Sequence, residues 1–249
     1  MISLQNQTVL ITGASSGIGE ACARVFAEAG AKLILVARRK ERLEELAKEL
    51  SHTLVHCLAL DVCDRTAVES VSTVSAVDIL INNAGLSRGL NKLQEGEFQD
   101  WEEMIDTNIK GVLYLTRCIV PGMISRGRGH IVFLGSTAGH QTYPNGNVYC
   151  ATKAAVRVIS EGLKQDLLGT PVRVSSVDPG LVETEFSQVR FRGDSDRAKT
   201  VYQGLTPLTP MDVAEVILFC ATRPPHVNIS EVLLMPTDQA GSMLFNRQT

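Results

Sequence analysis

No two of the six cysteines in this 249-residue sequence stand as a Cys-x-x-Cys pair. Cys22, Cys57, Cys63, Cys118, Cys150 and Cys220 are scattered, so neither a disulfide framework nor a zinc site is expected. They read as reduced thiols of a cytoplasmic protein, with no metal implied. No apolar stretch approaches the roughly 18 residues a membrane helix needs. The opening MISLQNQTVL lacks the basic start and long apolar core of a secretory leader. Excess charge is missing as well: a formal net charge of -3 gives no bulk pull toward nucleic acid or anionic lipid. There is no internal repeat, low-complexity tract or linker. With 44% hydrophobic residues the chain can bury a sizeable core, and a single domain over residues 1–249 is expected.

Short apolar runs alternate with helical patterns. TVLIT (8–12) reads as a buried strand, and GIGEACARVFAEAG places Ile18, Cys22, Val25, Phe26 and Ala29 at helical spacing before Gly30. AKLILVAR, LVHCLALDV, VDILINNAG, GHIVFLGS and VRVSSVDPG are further strand candidates, with a last strand near 232–235. KERLEELAKEL is an amphipathic helix; a long helix spans about 101–126, kinked or restarted at Pro121, and a last one spans about 211–221. Strands separated by helices throughout predict an α/β, doubly wound parallel sheet covered on both faces. Residues 183–210 break the alternation and are polar and basic.

TGASSGIG (12–19) joins the first strand to the first helix. Gly13 permits a tight turn, Gly17 lets backbone approach a phosphate, and Gly19 lets helix pack closely on strand. The helix N-terminus then offers free N–H groups to an anion. A glycine-rich turn also occurs at ordinary strand-to-helix corners, but this position favours nucleotide binding. Nineteen residues beyond Gly19, where an NAD enzyme often carries an acid for the ribose 2′-hydroxyl, stand Arg38 and Arg39. A guanidinium can bind a 2′-phosphate through paired donors, so NADP is the expected cofactor, with Arg38 favoured over Arg39. Both also fit a solvated basic face continuing into Lys40 and Arg42.

NVYCATKAAV places Tyr149 and Lys153 four apart, on one face of a helix. A free phenol, with a pKa near 10, is a poor base at neutral pH, and an adjacent ammonium favours the phenolate. Tyr149 could then exchange a proton with an alcohol or carbonyl. The pair alone also fits a surface tyrosine beside a solvated lysine. Three features add weight. Ser136 ends a strand in FLGSTAG and could hold a substrate oxygen or simply cap a turn. Asn108 sits inside the long helix, where Asn is unfavourable. INNAG (81–85) ends the fourth strand as a ligand edge would, although turn chemistry also accounts for Asn82 and Asn83.

TGASSGIG, NNAG, Asn108, Ser136, YCATK and DPG (178–180) occur in the order and spacing of the short-chain dehydrogenase/reductase family, which the whole chain resembles. The resemblance implies strand order 3-2-1-4-5-6-7 and an active site of Ser136, Tyr149, Lys153 and Asn108. Tyr149 would be the acid/base. Lys153 would lower its pKa and bind nicotinamide ribose, Ser136 would orient substrate, and Asn108 would hold a relay water. The cofactor would lie against Gly13, Ser15, Ser16, Gly17, Ile18 and Gly19, against Asp61 and Val62 at adenine, and against Asn83, Ala84 and Gly85. Pro179, Gly180, Val182 and Thr184 would surround the nicotinamide. One departure is Ser16: many NADP-preferring relatives carry a basic residue directly before the middle glycine.

WEEMIDTNIKG, GNVYCATKAAVR and DPGLVETEFSQVRFRGD resemble a narrower branch, the NADP-dependent dehydrogenases of short 3-hydroxy acids such as serine and allo-threonine. The implied activity is hydride transfer between NADP and such an acid or its 3-oxo partner. The alternatives are a 3-oxoacyl-carrier or general carbonyl reductase and, in another class, a catalytically idle NADP-binding regulator. Residues 183–210 are expected to form a substrate lid. On an extended chain Arg190 and Arg192 would share a side, with Phe191 opposite, and Arg190 is the chosen carboxylate reader. Alternatively these arginines pair with Asp194 and Asp196. The family commonly forms tetramers through its long helices, so a homotetramer is expected.

Overall fold

A computed structural model of the chain describes residues 3–71 and 76–248. The remaining residues of the expected 1–249 domain lie outside the described ones. Seven parallel strands form one sheet: β1 (Thr8–Thr12), β2 (Lys32–Ala37), β3 (Val55–Ala59), β4 (Ile79–Asn82), β5 (Gly129–Leu134), β6 (Val172–Pro179) and β7 (Glu231–Leu234). Their order is β3-β2-β1-β4-β5-β6-β7, as the resemblance implied. Every residue of β1 and β4 is buried, because central strands of a parallel sheet are covered on both faces.

Helices α1 (Gly17–Glu28) and α9 (Pro210–Ala221) cover one face, where Cys22, Phe26, Val213 and Ile217 pack on Val9 and Ile11. The other carries α3 (Arg65–Val71), α5 (Val112–Arg126) and α6 (Asn147–Asp166), where Val68, Leu115, Met123 and Val156 meet Leu10 and Leu80. α2 (Lys40–Glu49) turns Leu43 and Leu46 inward. Thr209 and Asp212 form a reciprocal capping box that begins α9 one residue before the expected start.

Two expectations are corrected. Residues 101–126 are not one helix broken at Pro121. α4 (Phe98–Ile105) runs through a π-helical segment, Asp106–Gly111, into α5, which continues past Pro121. Nor are residues 190–192 extended: the segment 183–210 contains α7 (Phe186–Arg190) and α8 (Ser195–Thr200), with Arg192 left-handed at φ 53°.

His130 lies inside the sheet on β5. Ser175 Oγ donates to Ile229 O (2.6 Å), so the 2.8 Å contact requires His130 Nε2 to carry the proton. Nδ1 is then buried with no partner among the described residues. Burial, followed by the Arg173 charge, pushes the imidazole down to about 3. Between there and the unfolded value near 6.5 the unfolded chain binds the extra proton, so stability falls as pH drops through that window. The slope from this group approaches about 1.4 kcal/mol per pH unit. His130→Leu should flatten that acid limb in urea melts taken from pH 7 to 4. An unchanged limb would assign it to other groups.

Candidate active site

The end of β1 is stitched to the end of β4. Thr12 Oγ1 accepts the N–H groups of Asn83 (3.0 Å) and Ala84 (2.8 Å), and Asn83 Nδ2 donates to Thr12 O (2.7 Å). The Asn83 amide nitrogen is therefore used by the scaffold, and Asn83, Ala84 and Gly85 form the edge. Gly13 (φ 65°) and Gly17 (φ 56°) are left-handed, and a Cβ on Gly19 would stand 2.3 Å from Gly13 O. That clash supports the close-packing role read for Gly19. Ile18 is partly buried against the core beneath. Ser16 is the N-cap of α1, yet its side chain makes no capping bond, so it does not occupy the first-turn N–H groups.

Its hydroxyl accepts instead from Arg39 Nη2 (2.7 Å), while Arg39 Nε reaches Ser15 Oγ (3.1 Å). Arg38, the favoured residue in sequence, points elsewhere. Its side chain is 66% exposed, and its nearest acid is Asp61 at 3.7 Å. The backbone turns the first arginine outward and the second into the glycine turn, and nothing local in the sequence ranks the two. Asp61 also accepts from Cys63 N (2.9 Å), and Val62 is buried against Gly111.

Tyr149 and Lys153 open α6 and are both buried. Lys153 Nζ donates to Leu134 O (2.8 Å), the last residue of β5. Burial pulls this ammonium down to about 8 against the lift from Asp178. Tyr149 departs from expectation. Burial pushes its phenol well above the ordinary range and Tyr143 pushes the same way, while the Arg190 charge and Ser136 hydroxyl pull it down. The cation nearer its ring is Arg190 at 5.3 Å, against 6.0 Å for Lys153 Nζ. Ser136 also caps the following turn by accepting from Ala138 N (3.1 Å). Asn108, in the π segment, is fully buried: Oδ1 accepts from Leu86 N (2.8 Å), and Nδ2 donates to Leu86 O (2.8 Å) and Thr152 Oγ1 (3.0 Å). A Cβ on Gly85 would lie 3.2 Å from Asn108 Oδ1 and 3.7 Å from Lys153 Nζ, so three elements meet at one point.

Beyond Pro179, Gly180 N donates to Leu234 O (2.7 Å), and a Cβ there would strike Gln239. Val182 bridges Leu208, which pinches the base of residues 183–210, and Thr184 lies against Gly17. The segment's inner end is fastened to residues after β4. Arg88 Nη1 donates to Val189 O (2.5 Å), Gly89 N to Arg190 O (3.1 Å), and Arg192 pairs with Asp100 rather than Asp194 or Asp196. Arg190 and Arg192 therefore diverge. Arg190 Nη2 donates to the Tyr143 hydroxyl (2.9 Å), and its guanidinium lies 5.1 Å from the Phe186 ring. Its Nε is buried with no partner among the described residues. A shallow adjoining pocket is lined by Arg88, Asp100, Trp101, Asn145 and Tyr149. Tyr143, Arg88 and Glu185 were not singled out in the sequence; each reaches the site through a long-range contact that no local pattern marks.

A profile of the short chain dehydrogenase family matches residues 7–194. The NADP-dependent 3-hydroxy acid dehydrogenase YdfG of Escherichia coli strain K12 is 48% identical over 238 residues, 93% of this chain and 96% of that protein. Sulfoacetaldehyde reductase 2 of Chromohalobacter salexigens is 49% identical over 94% of this chain and 96% of its own. Among solved structures, the closed form of serine dehydrogenase complexed with NADP+ superposes with a TM-score of 0.91 at 46% identity, covering 98% of this chain and 100% of that one.

Proposed function

Because this chain belongs to the short-chain dehydrogenase family, we propose that it oxidises short 3-hydroxy acids, or reduces their 3-oxo partners, with NADP. The buried, unpartnered Arg190 Nε carries the substrate reading. It is a charged donor beside the Tyr149 ring, and a small anion reaching it would satisfy it. Arg88, Gly89 and Arg192 fasten residues 189–192 to the loop after β4 and to α4, beside the Tyr149 ring.

NADP fits the residues present. The first turn of α1 is free of its N-cap side chain, the glycines leave room for backbone approach, and Arg39 stands over the turn. When bound, the cofactor accepts or supplies the hydride. Arg39, Ser15 and Ser16 hold the 2′-phosphate, with Arg38 and Asp61 at the rim toward adenine. Ser136 orients the substrate oxygen, and Tyr149 gives or takes its proton. Lys153, anchored on Leu134 O, holds the nicotinamide ribose. The Asn108 amide is already bonded to Leu86 and Thr152, so its main-chain carbonyl would hold the relay water. Residues 183–210 act as a lid closed over the site. A homotetramer would cover the exposed Leu113 and Ile124 of α5 and Val158 of α6. Among the described residues no helix is long and apolar enough to cross a membrane, and all six cysteines are free, which suits the cytoplasm.

Turnover of serine or 3-hydroxyisobutyrate with NADP+, and little with NAD+, is the expected result; no turnover of any short hydroxy acid would reject the proposal. Arg39→Asp should weaken NADP+ binding about tenfold or more relative to NAD+, since a charge-assisted contact is worth roughly 1.5–3 kcal/mol. An unchanged ratio in calorimetric titrations would place the phosphate elsewhere.

A further inference from the structure

Glu185 lies between two arginines. Arg39 Nη1 donates to its Oε2 (2.8 Å) and Arg42 Nη1 to its Oε1 (2.6 Å). Arg39 is thereby used along its whole fork, by Ser15 and Ser16 on one side and by Glu185 on the other. Burial works against this carboxylate, but the bonds from Arg42 and Arg39 and their charges hold it below its usual range. It is charged at any pH where the enzyme would work. Its side chain is 37% exposed, so the contacts are open to exchange with a solute. Nothing in catalysis as derived above uses it.

The position of Glu185 in the chain gives the contacts meaning. It follows Thr184, which lies against Gly17 of the phosphate turn, and it is the N-cap residue of α7. α7 ends at Arg190, whose guanidinium lies near the Tyr149 ring. One short helix thus has a carboxylate on the arginines of the cofactor end and a guanidinium in the substrate end. A phosphate monoester carries up to about two charges at neutral pH and three acceptor oxygens, against one charge and two oxygens for a carboxylate. It can displace Glu185 from Arg39 and Arg42, whereas a ribose 2′-hydroxyl cannot.

We propose that Glu185 is an intramolecular stand-in for the cofactor 2′-phosphate. It competes for Arg39 and Arg42, sets how strongly NADP is preferred over NAD, and links arrival of the phosphate to the root of the lid. The inference rests on the NADP reading above and adds a specificity-determining residue to it. Partly exposed ion pairs are weak, at most about 1 kcal/mol each. Glu185→Gln should therefore tighten NADP+ by about three- to tenfold. NAD+ should stay within about twofold or weaken, because an acid near this position can also hold a ribose hydroxyl.

The test is calorimetric titration of the full chain with NADP+, NAD+ and adenosine 2′,5′-bisphosphate, for wild type, Glu185→Gln and Glu185→Asp. The expected result is a higher NADP+/NAD+ affinity ratio in the Gln variant, a smaller rise in the Asp variant, and the same ordering for the bisphosphate. Limited proteolysis adds a second readout. Without nucleotide, cleavage within 183–210 should be faster in Glu185→Gln than in wild type, and NADP+ should protect both. If wild type favours NADP+ and the Gln variant leaves the ratio unchanged or lowers it, Glu185 supports phosphate binding and the stand-in role is overturned. If wild type does not separate NADP+ from NAD+, the cofactor reading falls, and this inference with it.

Discussion

Tyr149→Phe is expected to lower turnover by about 10²–10⁴-fold, the usual worth of positioned proton transfer, while NADP+ binds as before. The substitution removes one oxygen and keeps the ring. That ring is buried among Leu86, Met104, Ala138 and Cys150 and tilted against Phe186 at 5.5 Å, so packing is preserved. Lys153 is held through Leu134 O and needs no phenol to stay in place. The pH profile sharpens the test. With its pKa raised by burial, Tyr149 keeps its proton at neutral pH, the form that gives a proton to a carbonyl. Reduction should then be nearly flat from pH 6 to 8. Oxidation, in which the phenolate must take a proton, should rise with pH as that form becomes populated. Turnover of the Phe variant within a few-fold of wild type would remove Tyr149 from the chemistry.

The second large effect is expected at Arg190. Arg190→Ala should cut kcat/KM for 3-hydroxy acids by roughly 10- to 100-fold, because a charged donor meeting an anion is worth about 1.5–3 kcal/mol. Simple uncharged alcohols should lose far less. Arg190→Lys keeps the charge without the fork and should fall between. The variant has a further signature: the Arg190 charge pulls the Tyr149 phenol down, so its loss should move the rising limb of oxidation to higher pH. Equal losses on charged and uncharged substrates would mean that the guanidinium only packs the lid against Phe186 and Tyr143.

The parallel strands and the shared helical face of Tyr149 and Lys153 were legible because they depend on local chemistry, whereas sheet order came only from the family resemblance. Continuous apolar runs mark buried parallel strands, and residues four apart share a helical face wherever the helix goes. Gly13, Gly17 and Gly19 were legible for the same reason, since backbone conformation and close approach are properties of single positions. What escaped was decided by distant partners. Arg38 and Arg39 are chemically equivalent, and their different placements come from Asp61 on one side and Ser15, Ser16 and Glu185 on the other, the last 146 residues away from Arg39. The phenol of Tyr149 moved opposite to expectation because burial outweighs the pull of the Arg190 charge and the Ser136 hydroxyl. Arg190 was chosen on the premise of an extended chain, but the chain there is helical: its guanidinium lies by Tyr143 and Tyr149, and Arg192 turns away to Asp100.

The widened turn at Asp106–Gly111 has a consequence for the helices on either side. A π turn takes in one residue more than an α turn, so it acts as an index that sets the rotational phase of α4 against α5. Deleting any one residue of the segment would restore an unbroken α-helix and rotate α4 by about 100°. Asp100 and Met104, now buried, would swing off their present face. Arg192 would lose its carboxylate and the Arg88 backbone its sulfur contact, while Asn108 could not stay on Leu86 and Thr152 at once. The segment thus behaves like a gear tooth: a length change too small to disturb the sheet would put the anchors of residues 183–210 and the buried Asn108 out of step.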